Sequence, residues 1–237
     1  MTQVALGLDI GTGSTKAGLV DGDGRLLAVG RHPHPPSEPR PGWSEADPSV
    51  WLEAAGLAVA AAREAAAATG ITPEILAVGF SGQMHGVVAC GPDLEPVRPA
   101  VLWSDRRSEP DLAQLRDGIG PELAARLANP VVAGMAGPSL AALRRLEPDL
   151  VDRIERVLQP KDWVRAHLTG DVATDPTDAS ATLLWDLPGD HWSDDAGAVF
   201  GVPSSWLAPV VGSTEPAGRL HQDLSLIHIS EPTRLGM

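Results

Sequence analysis

The residues best suited to chemistry begin at Asp9. A short apolar run, residues 4–8, ends on this carboxylate. Ile10 then leads into a turn of Gly11, Thr12, Gly13, Ser14 and Thr15 before a second apolar run at 17–20. A strand-end carboxylate beside a small, hydroxyl-rich turn suits a metal ion and the terminal phosphates of a nucleotide. Glycines let backbone N–H groups approach the anion, hydroxyls donate further hydrogen bonds, and Asp9 supplies charge for Mg²⁺. The chemistry suggested is phosphoryl transfer. A tight hairpin with an incidental aspartate is the plain alternative for this segment alone.

Spacing excludes the look-alikes. A Walker A loop needs Gly-x4-Gly-Lys-Ser/Thr, and no frame starting at Gly7, Gly11 or Gly13 supplies it. A dinucleotide fingerprint needs glycine where Lys16 stands, and a helix afterwards rather than a strand. An aspartic protease reads Asp-Thr/Ser-Gly, but Ile10 takes the middle place and no second such triplet occurs.

Two further segments share the pattern of an apolar strand ending in polar groups. Phe80-Ser81-Gly82-Gln83-Met84-His85-Gly86 presents an amide and an imidazole on a glycine-flanked turn. Gln83 and His85 can share hydrogen bonds with vicinal hydroxyls, Met84 can pack on the C–H face of a sugar, and the glycines allow close approach. Ala100-Val101-Leu102-Trp103-Ser104-Asp105-Arg106-Arg107 repeats the arrangement with an aromatic ring. Three such strand ends together are the usual build of an α/β site.

The elements that position these groups follow from periodicity. Strands are predicted at 4–9, 16–20 and 25–30 as a meander, with Asp21-Gly22-Asp23-Gly24 as a solvated turn rather than a calcium loop. The Pro-rich stretch 31–42 carries His32 and His34, which are expected to be solvated. An Ala-rich helix is predicted over 48–69, capped by Asp47 and closed by Gly70. The continuous apolar run 75–80 predicts a strand buried on both faces. Short strands follow at 86–90 and 100–103, then helices near 109–116, 121–127, 138–146 and a long one at 149–169, open to a break at Pro160.

Composition bounds the reading. A chain of 237 residues with 43% hydrophobic content can bury a sizeable core. A net charge of −13 argues against nucleic acid and anionic membrane as partners. One cysteine, Cys90, excludes an internal disulfide and fits a reducing cytoplasm, with Cys90 itself read as a buried small hydrophobe. No signal peptide or bilayer-length apolar run is visible. Most of the seven tryptophans are expected in the core.

Several segments fall in the order of the FGGY carbohydrate kinases. They are Gly7-Leu8-Asp9-Ile10-Gly11-Thr12, Gly82-Gln83-Met84-His85-Gly86, Leu102-Trp103-Ser104-Asp105-Arg106 and Leu158-Gln159-Pro160-Lys161-Asp162-Trp163 with Leu168-Thr169-Gly170. Trp43-Ser44-Glu45-Ala46-Asp47-Pro48 and the segment 174–182 are similar to the same family, so the resemblance runs over about residues 4–222. The Gln-Met-His triplet resembles its xylulose-phosphorylating branch rather than its glycerol branch. The strand–helix order matches an α/β lobe of the ribonuclease-H-like, actin/hexokinase type, a mixed sheet flanked by helices.

The resemblance implies ATP-dependent phosphorylation of a ketose, D-xylulose first, with ATP and Mg²⁺ as cofactors. Asp9 is implied on the Mg²⁺–phosphate side and Gly11, Thr12, Gly13, Ser14 and Thr15 in the phosphate loop. Gln83, Met84 and His85 are implied at the ketose, with Trp103 and Asp105 nearby. Ala136-Gly137-Pro138-Ser139-Leu140 departs from the family's usual Thr-Ala-Pro-Lys-Leu, which leaves ribulose, gluconate, glycerol or fuculose open as acceptors. A non-catalytic sugar-binding lobe is the other open reading. The resemblance also allows a homodimer of the full-length enzyme.

The family has a second lobe of similar size, which carries the catalytic base and much of the adenine site, and nothing here matches it. From Leu224 onward, Leu-Ser-Leu-Ile-His-Ile-Ser-Glu-Pro-Thr-Arg resembles a translated transposase-adapter sequence. Residues 1–223 are therefore expected to be the native N-terminal lobe of a truncated kinase, inactive alone. Residues 224–237 are expected to be a non-native tail.

Overall fold

The first hairpin is built where alternation is strongest. β1 (Thr2–Ile10) and β2 (Ser14–Asp21) run antiparallel with Asp9 opposite Lys16, and β3 (Leu26–Pro33) pairs with β2. The structure is a computed structural model that describes residues 1–221; the expected lobe boundary at 223 and the expected non-native tail lie outside these residues. The turn between β2 and β3 is tied by Asp21, whose Oδ1 accepts from the backbone N–H groups of Asp23 and Arg25. It is the solvated hairpin expected from its sequence.

After the two-residue β4 (Glu45–Ala46), α1 (Ser49–Ala68) crosses the sheet. Its buried positions, Trp51, Ala54, Ala55, Ala58, Val59, Ala62 and Ala66, recur every three to four residues and form one stripe. Alanine is needed there because helix and sheet nearly touch. A Cβ on Gly30 of β3 would sit 2.0 Å from the Ala58 carbonyl oxygen. The helix starts one residue later than expected, with Pro48 rather than Asp47 at its N-cap, and Asp47 Oδ1 accepts from the N–H and hydroxyl of Ser49.

β5 (Pro73–Gly82) joins β1 in parallel, with Asp9 level with Ser81, so the mixed sheet has the order β3-β2-β1-β5. This is the element order expected of the ribonuclease-H-like lobe. One expectation fails here. β5 is not buried on both faces: it forms a sheet edge, and Leu76 is 62% exposed. The helix packed against it is α5 (Pro160–Thr169), and its Ile75, Val78 and Phe80 are only partly buried.

A second unit grows out beyond β5. It contains β6 (Val88–Cys90), β7 (Ala100–Val101), α2 (Leu112–Leu127), α3 (Ala136–Leu146), α4 (Pro148–Val151) and β8 (Arg156–Leu158). The two helices expected at 109–116 and 121–127 are one bent helix, kinked at Gly120-Pro121. The single helix expected at 149–169 is instead α4, then β8, then α5 (Pro160–Thr169), because residues 156–158 pair with β6. The chain continues through α6 (Pro176–Ser180), the short pair β9 (Trp185–Asp186) and β10 (His191–Trp192), and α7 (Asp194–Phe200).

Two apolar cores result. The first lies between the sheet, α1 and α5, where Trp51 and Trp163 meet edge to face at 6.5 Å. The second gathers α2, α3 and α7 around Phe200 and Leu184. The departing segment 136–140 belongs to this second core. Gly137 lies so close to Phe200 that a Cβ would meet its ring at 2.7 Å. Trp51, Trp163, Trp185 and Trp206 are buried, whereas Trp103 is half exposed.

Candidate functional site

The parallel pairing of β1 and β5 brings two of the three strand ends together. Gln83 N–H donates to the Ile10 carbonyl at 2.8 Å, which holds the Gln83–His85 turn beside the Asp9–Gly13 turn. The third strand end arrives through a bridge between Val87 and Val101. Trp103 then reaches across, and its indole Nε1 donates to Thr12 Oγ1 at 2.9 Å.

Asp9 stands on the open face with its side chain 43% exposed, and its Oδ2 lies 3.3 Å from Lys16 Nζ. Among the described residues no group of three or more His, Cys, Asp or Glu could hold a metal ion. Asp9 fits Mg²⁺ as a single carboxylate contact to an ion that keeps waters and phosphate oxygens as its other ligands, which is how this ion is usually bound beside nucleotides. Gly11, Thr12 and Gly13 form the accessible part of the turn, and a Cβ on Gly13 would meet nothing within 4 Å. Ser14 and Thr15 differ from the expectation. Both belong to β2 and are buried, and Thr15 Oγ1 is occupied by His34 Nε2 at 2.9 Å. They support the turn from behind and do not line it.

His34 itself corrects a second expectation. It is 6% exposed, not solvated, and burial pushes its imidazole pKa below the ordinary value.

At the second strand end, His85 adopts a left-handed backbone with φ 66°. Its Nδ1 lies 2.7 Å from the Ala181 carbonyl. A carbonyl oxygen only accepts, so Nδ1 carries a proton, and in the neutral tautomer this fixes, the lone pair is on Nε2. His85 N–H donates to Gln159 Oε1, and Gln159 Nε2 in turn donates to the Asp178 carbonyl. Met84 is 54% exposed beside it. Gln83 is buried, and neither atom of its amide has a hydrogen-bond partner among the described residues. The flanking glycines serve packing rather than ligand approach: a Cβ on Gly82 would press on the Ile10 carbonyl at 3.0 Å, and one on Gly86 on the Pro160 ring at 2.7 Å.

The third strand end divides its residues. Trp103 is 50% exposed and faces the site. Asp105 does not: it is buried, it accepts from Ser44 N–H at 2.7 Å, and it pairs with Arg107 at 2.8 Å. The expectation that Asp105 stands at the ketose is therefore corrected to a structural role. Arg107 also pairs with Glu45 at 2.6 Å, and Glu45 bonds Arg98. Burial opposes the Arg107 charge, but hydrogen bonds to Asp105 and Glu45 outweigh it and raise its pKa. Arg107 also lies over the Trp43 ring at 3.8 Å, so this network clamps residues 42–46 to the Trp103 loop.

Beneath His85 lies a cluster that the sequence reading did not single out as such. Lys161 Nζ is within 2.8 Å of Asp162, 3.0 Å of Asp178 and 3.2 Å of Asp175. Burial opposes the Lys161 charge, yet the surrounding carboxylates raise its pKa. Burial raises the Asp178 pKa despite Lys161, whereas the Ser213 hydroxyl and Lys161 together hold Asp175 low. A lysine directly after a helix-initiating proline, with an Asp175-x-x-Asp178 pair downstream, is the signal that could have marked it. The cluster fastens α6 to α5 and so fixes the carbonyls that orient His85 and Gln159. A concavity of about 770 Å³ runs along β5 between α5 and residues 211–220, and includes none of Asp9, Met84, His85 or Trp103.

The lobe is of the ribonuclease-H-like, actin/hexokinase type, with a hydroxyl-bearing turn on one strand end and an imidazole and an indole on the next two. Residues 4–229 match the model of the FGGY family of carbohydrate kinases, N-terminal domain, and the chain belongs to that family. It is 30% identical over 232 residues to a xylulose kinase of Lactococcus lactis, covering 95% of this chain and 44% of that protein. It is 34% identical over 218 residues to a xylulose kinase of Streptomyces coelicolor, covering 91% and 44%. The crystal structure of a xyloylose kinase from Brucella ovis superposes with TM-score 0.87 at 34% identity, covering 94% of this chain and 46% of that one. The chain thus spans less than half the length of these relatives. No helix among the described residues is long and apolar enough to cross a membrane.

Proposed function

We propose that the whole protein containing this lobe is an ATP-dependent kinase whose acceptor is D-xylulose, phosphorylated at its terminal hydroxyl. The observation that carries the reading is the state of His85. Its Nδ1 proton is spent on Ala181, which leaves Nε2 to accept from a sugar hydroxyl while Met84 and Trp103 offer apolar surface on either side. The names of the relatives support the ketose.

In this reading the lobe binds and orients. Thr12 and the N–H group of Gly13 face the transferring phosphate, and Asp9 and Lys16 set the charge beside it. Bound Mg²⁺ would neutralise phosphate charge there. His85 holds the acceptor, Gln83 lies buried behind it rather than at its surface, and Trp103 joins the two halves through Thr12. The attacking hydroxyl needs a base to take its proton. We place that base and the adenine site in the remainder of the kinase, so the chain alone has no turnover. Losing a general base costs on the order of 10²–10⁴ in rate, and losing positioning costs up to about 7–11 kcal/mol, partly overlapping.

The test is a panel of ketoses and polyols with the full-length protein, together with ADP release from the chain alone. Preference for xylulose and silence of the lobe support the reading. Preference for ribulose, gluconate, glycerol or fuculose moves the acceptor within the family. Ketose binding without ATP use by the full-length protein would make it a sugar-binding protein instead.

A further inference from the structure

We infer that His34 is a positioning residue for the Gly11–Gly13 turn, acting through Thr15 and the Gly13 carbonyl without itself touching a nucleotide. Two bonds meet at this residue. Its backbone N–H donates to the Gly13 carbonyl at 3.0 Å, and its Nε2 is bonded to Thr15 Oγ1 at 2.9 Å. The turn closes on itself through Gly11 N–H to the Ser14 carbonyl at 3.1 Å. His34 therefore holds the turn at its tip and at its return into β2, while Trp103 holds Thr12 from the other side. The outer edge at Gly13 is left open.

The cost of this arrangement shows that it is specific. Thr15 is fully buried and His34 is 6% exposed, yet His34 Nδ1 has no hydrogen-bond partner among the described residues. A buried orphan nitrogen is unfavourable, and an apolar residue in the same space would avoid it. What an apolar residue would lose is the bond to Thr15. Pro33 and Pro35 flank His34 and restrict the backbone that delivers its N–H to Gly13.

That the turn holds phosphate rests on the kinase reading; that His34 shapes the turn does not. The experiment separates the two. Amide hydrogen exchange is measured on this chain without ligand for wild type, His34→Leu and His34→Gln, because a glutamine amide reaches the position of Nε2. We expect His34→Leu to lower protection of the Gly11 and residue-34 amides, the two donors that close the turn, at least about tenfold, with the interior amides of β1 and β2 unchanged, and His34→Gln to restore protection. Unchanged protection at Gly11 and residue 34, or a loss spread evenly over the sheet, would overturn the inference. The same samples with millimolar MgATP give the second arm. Protection of Gly13 in wild type and its loss in His34→Leu extends the role to the nucleotide, whereas no protection in wild type counts against the kinase reading and leaves the first arm to decide His34.

Discussion

Trp103 and Thr12, 91 residues apart in sequence, are joined by an indole-to-hydroxyl hydrogen bond of 2.9 Å. In the proposed kinase reading, one ring thus borders the acceptor side of the site while its N–H fixes the turn on the phosphate side. In the full-length kinase, Trp103→Ala is expected to raise the ketose KM at least about tenfold, the scale of about 1.4 kcal/mol. Trp103→Phe, which keeps an apolar face, should stay within about threefold. Steady-state kinetics with ketose and ATP varied separately checks this. Equal damage by both variants would mean that the bond to Thr12 carries the effect and the ring face does not.

The Trp103 loop is seated on Gly134. That glycine has φ +84°, and a Cβ on it would lie 1.8 Å from the Trp103 carbonyl oxygen. Gly134→Ala should therefore cost at least about 1–3 kcal/mol, lowering the melting temperature by several degrees at about 2–4 °C per kcal/mol. Gly79→Ala on β5 meets nothing within 4 Å and should leave the melting temperature unchanged or slightly higher. Thermal melts of the two variants side by side make the comparison.

Lys161 is surrounded by Asp162, Asp175 and Asp178, and its side chain is 13% exposed. Lys161→Met removes the compensating charge and leaves three carboxylates facing one another. A loss of about 3–5 kcal/mol is expected, as for breaking a buried pair from one side. Urea unfolding at neutral pH measures it, and a loss below about 1 kcal/mol would show that water already screens the cluster.

Burial lowers the His34 pKa, with His32 as a charged neighbour acting in the same direction. The unfolded chain then binds more protons than the folded one between the depressed value and about 6.5. Stability therefore rises with pH through that window; the contribution is complete above about 6.5 and is lost as the pH falls through the window. Urea midpoints between pH 5 and pH 7.5 should fall on the acid side in wild type. In His34→Gln that slope should flatten.

Cys90 is buried, and burial pushes its thiol up to about 12. A disulfide reagent should leave it untouched in the native chain and modify it only after unfolding.

The hairpin, α1 and the three strand ends were legible because their signals are local. Alternation, an alanine stripe bounded by Pro48 and Gly70, and apolar runs ending in polar turns each lie within a short window. Burial of β5 was not legible, because it depends on which neighbours a strand receives, and β5 receives β1 on one side only. His34 and Asp105 were misjudged for a related reason. A histidine among prolines and an aspartate after a strand carry no mark of the partner they meet, Thr15 in one case and Ser44, 61 residues away, in the other. The Lys161 cluster is drawn from α5 and α6 across a loop, which no period of the sequence records.

The central claim is that Asp9 and the turn after it face magnesium-bound phosphate while His85 holds the acceptor. Asp9→Asn in the full-length kinase tests it most directly, with turnover and ketose affinity measured on the same preparation. The account predicts a fall in kcat of at least about 10³-fold, on the scale of losing one charged contact to a transferring phosphoryl group, with ketose affinity within about twofold of wild type. Turnover that survives the substitution, or a loss confined to ketose binding, would contradict it.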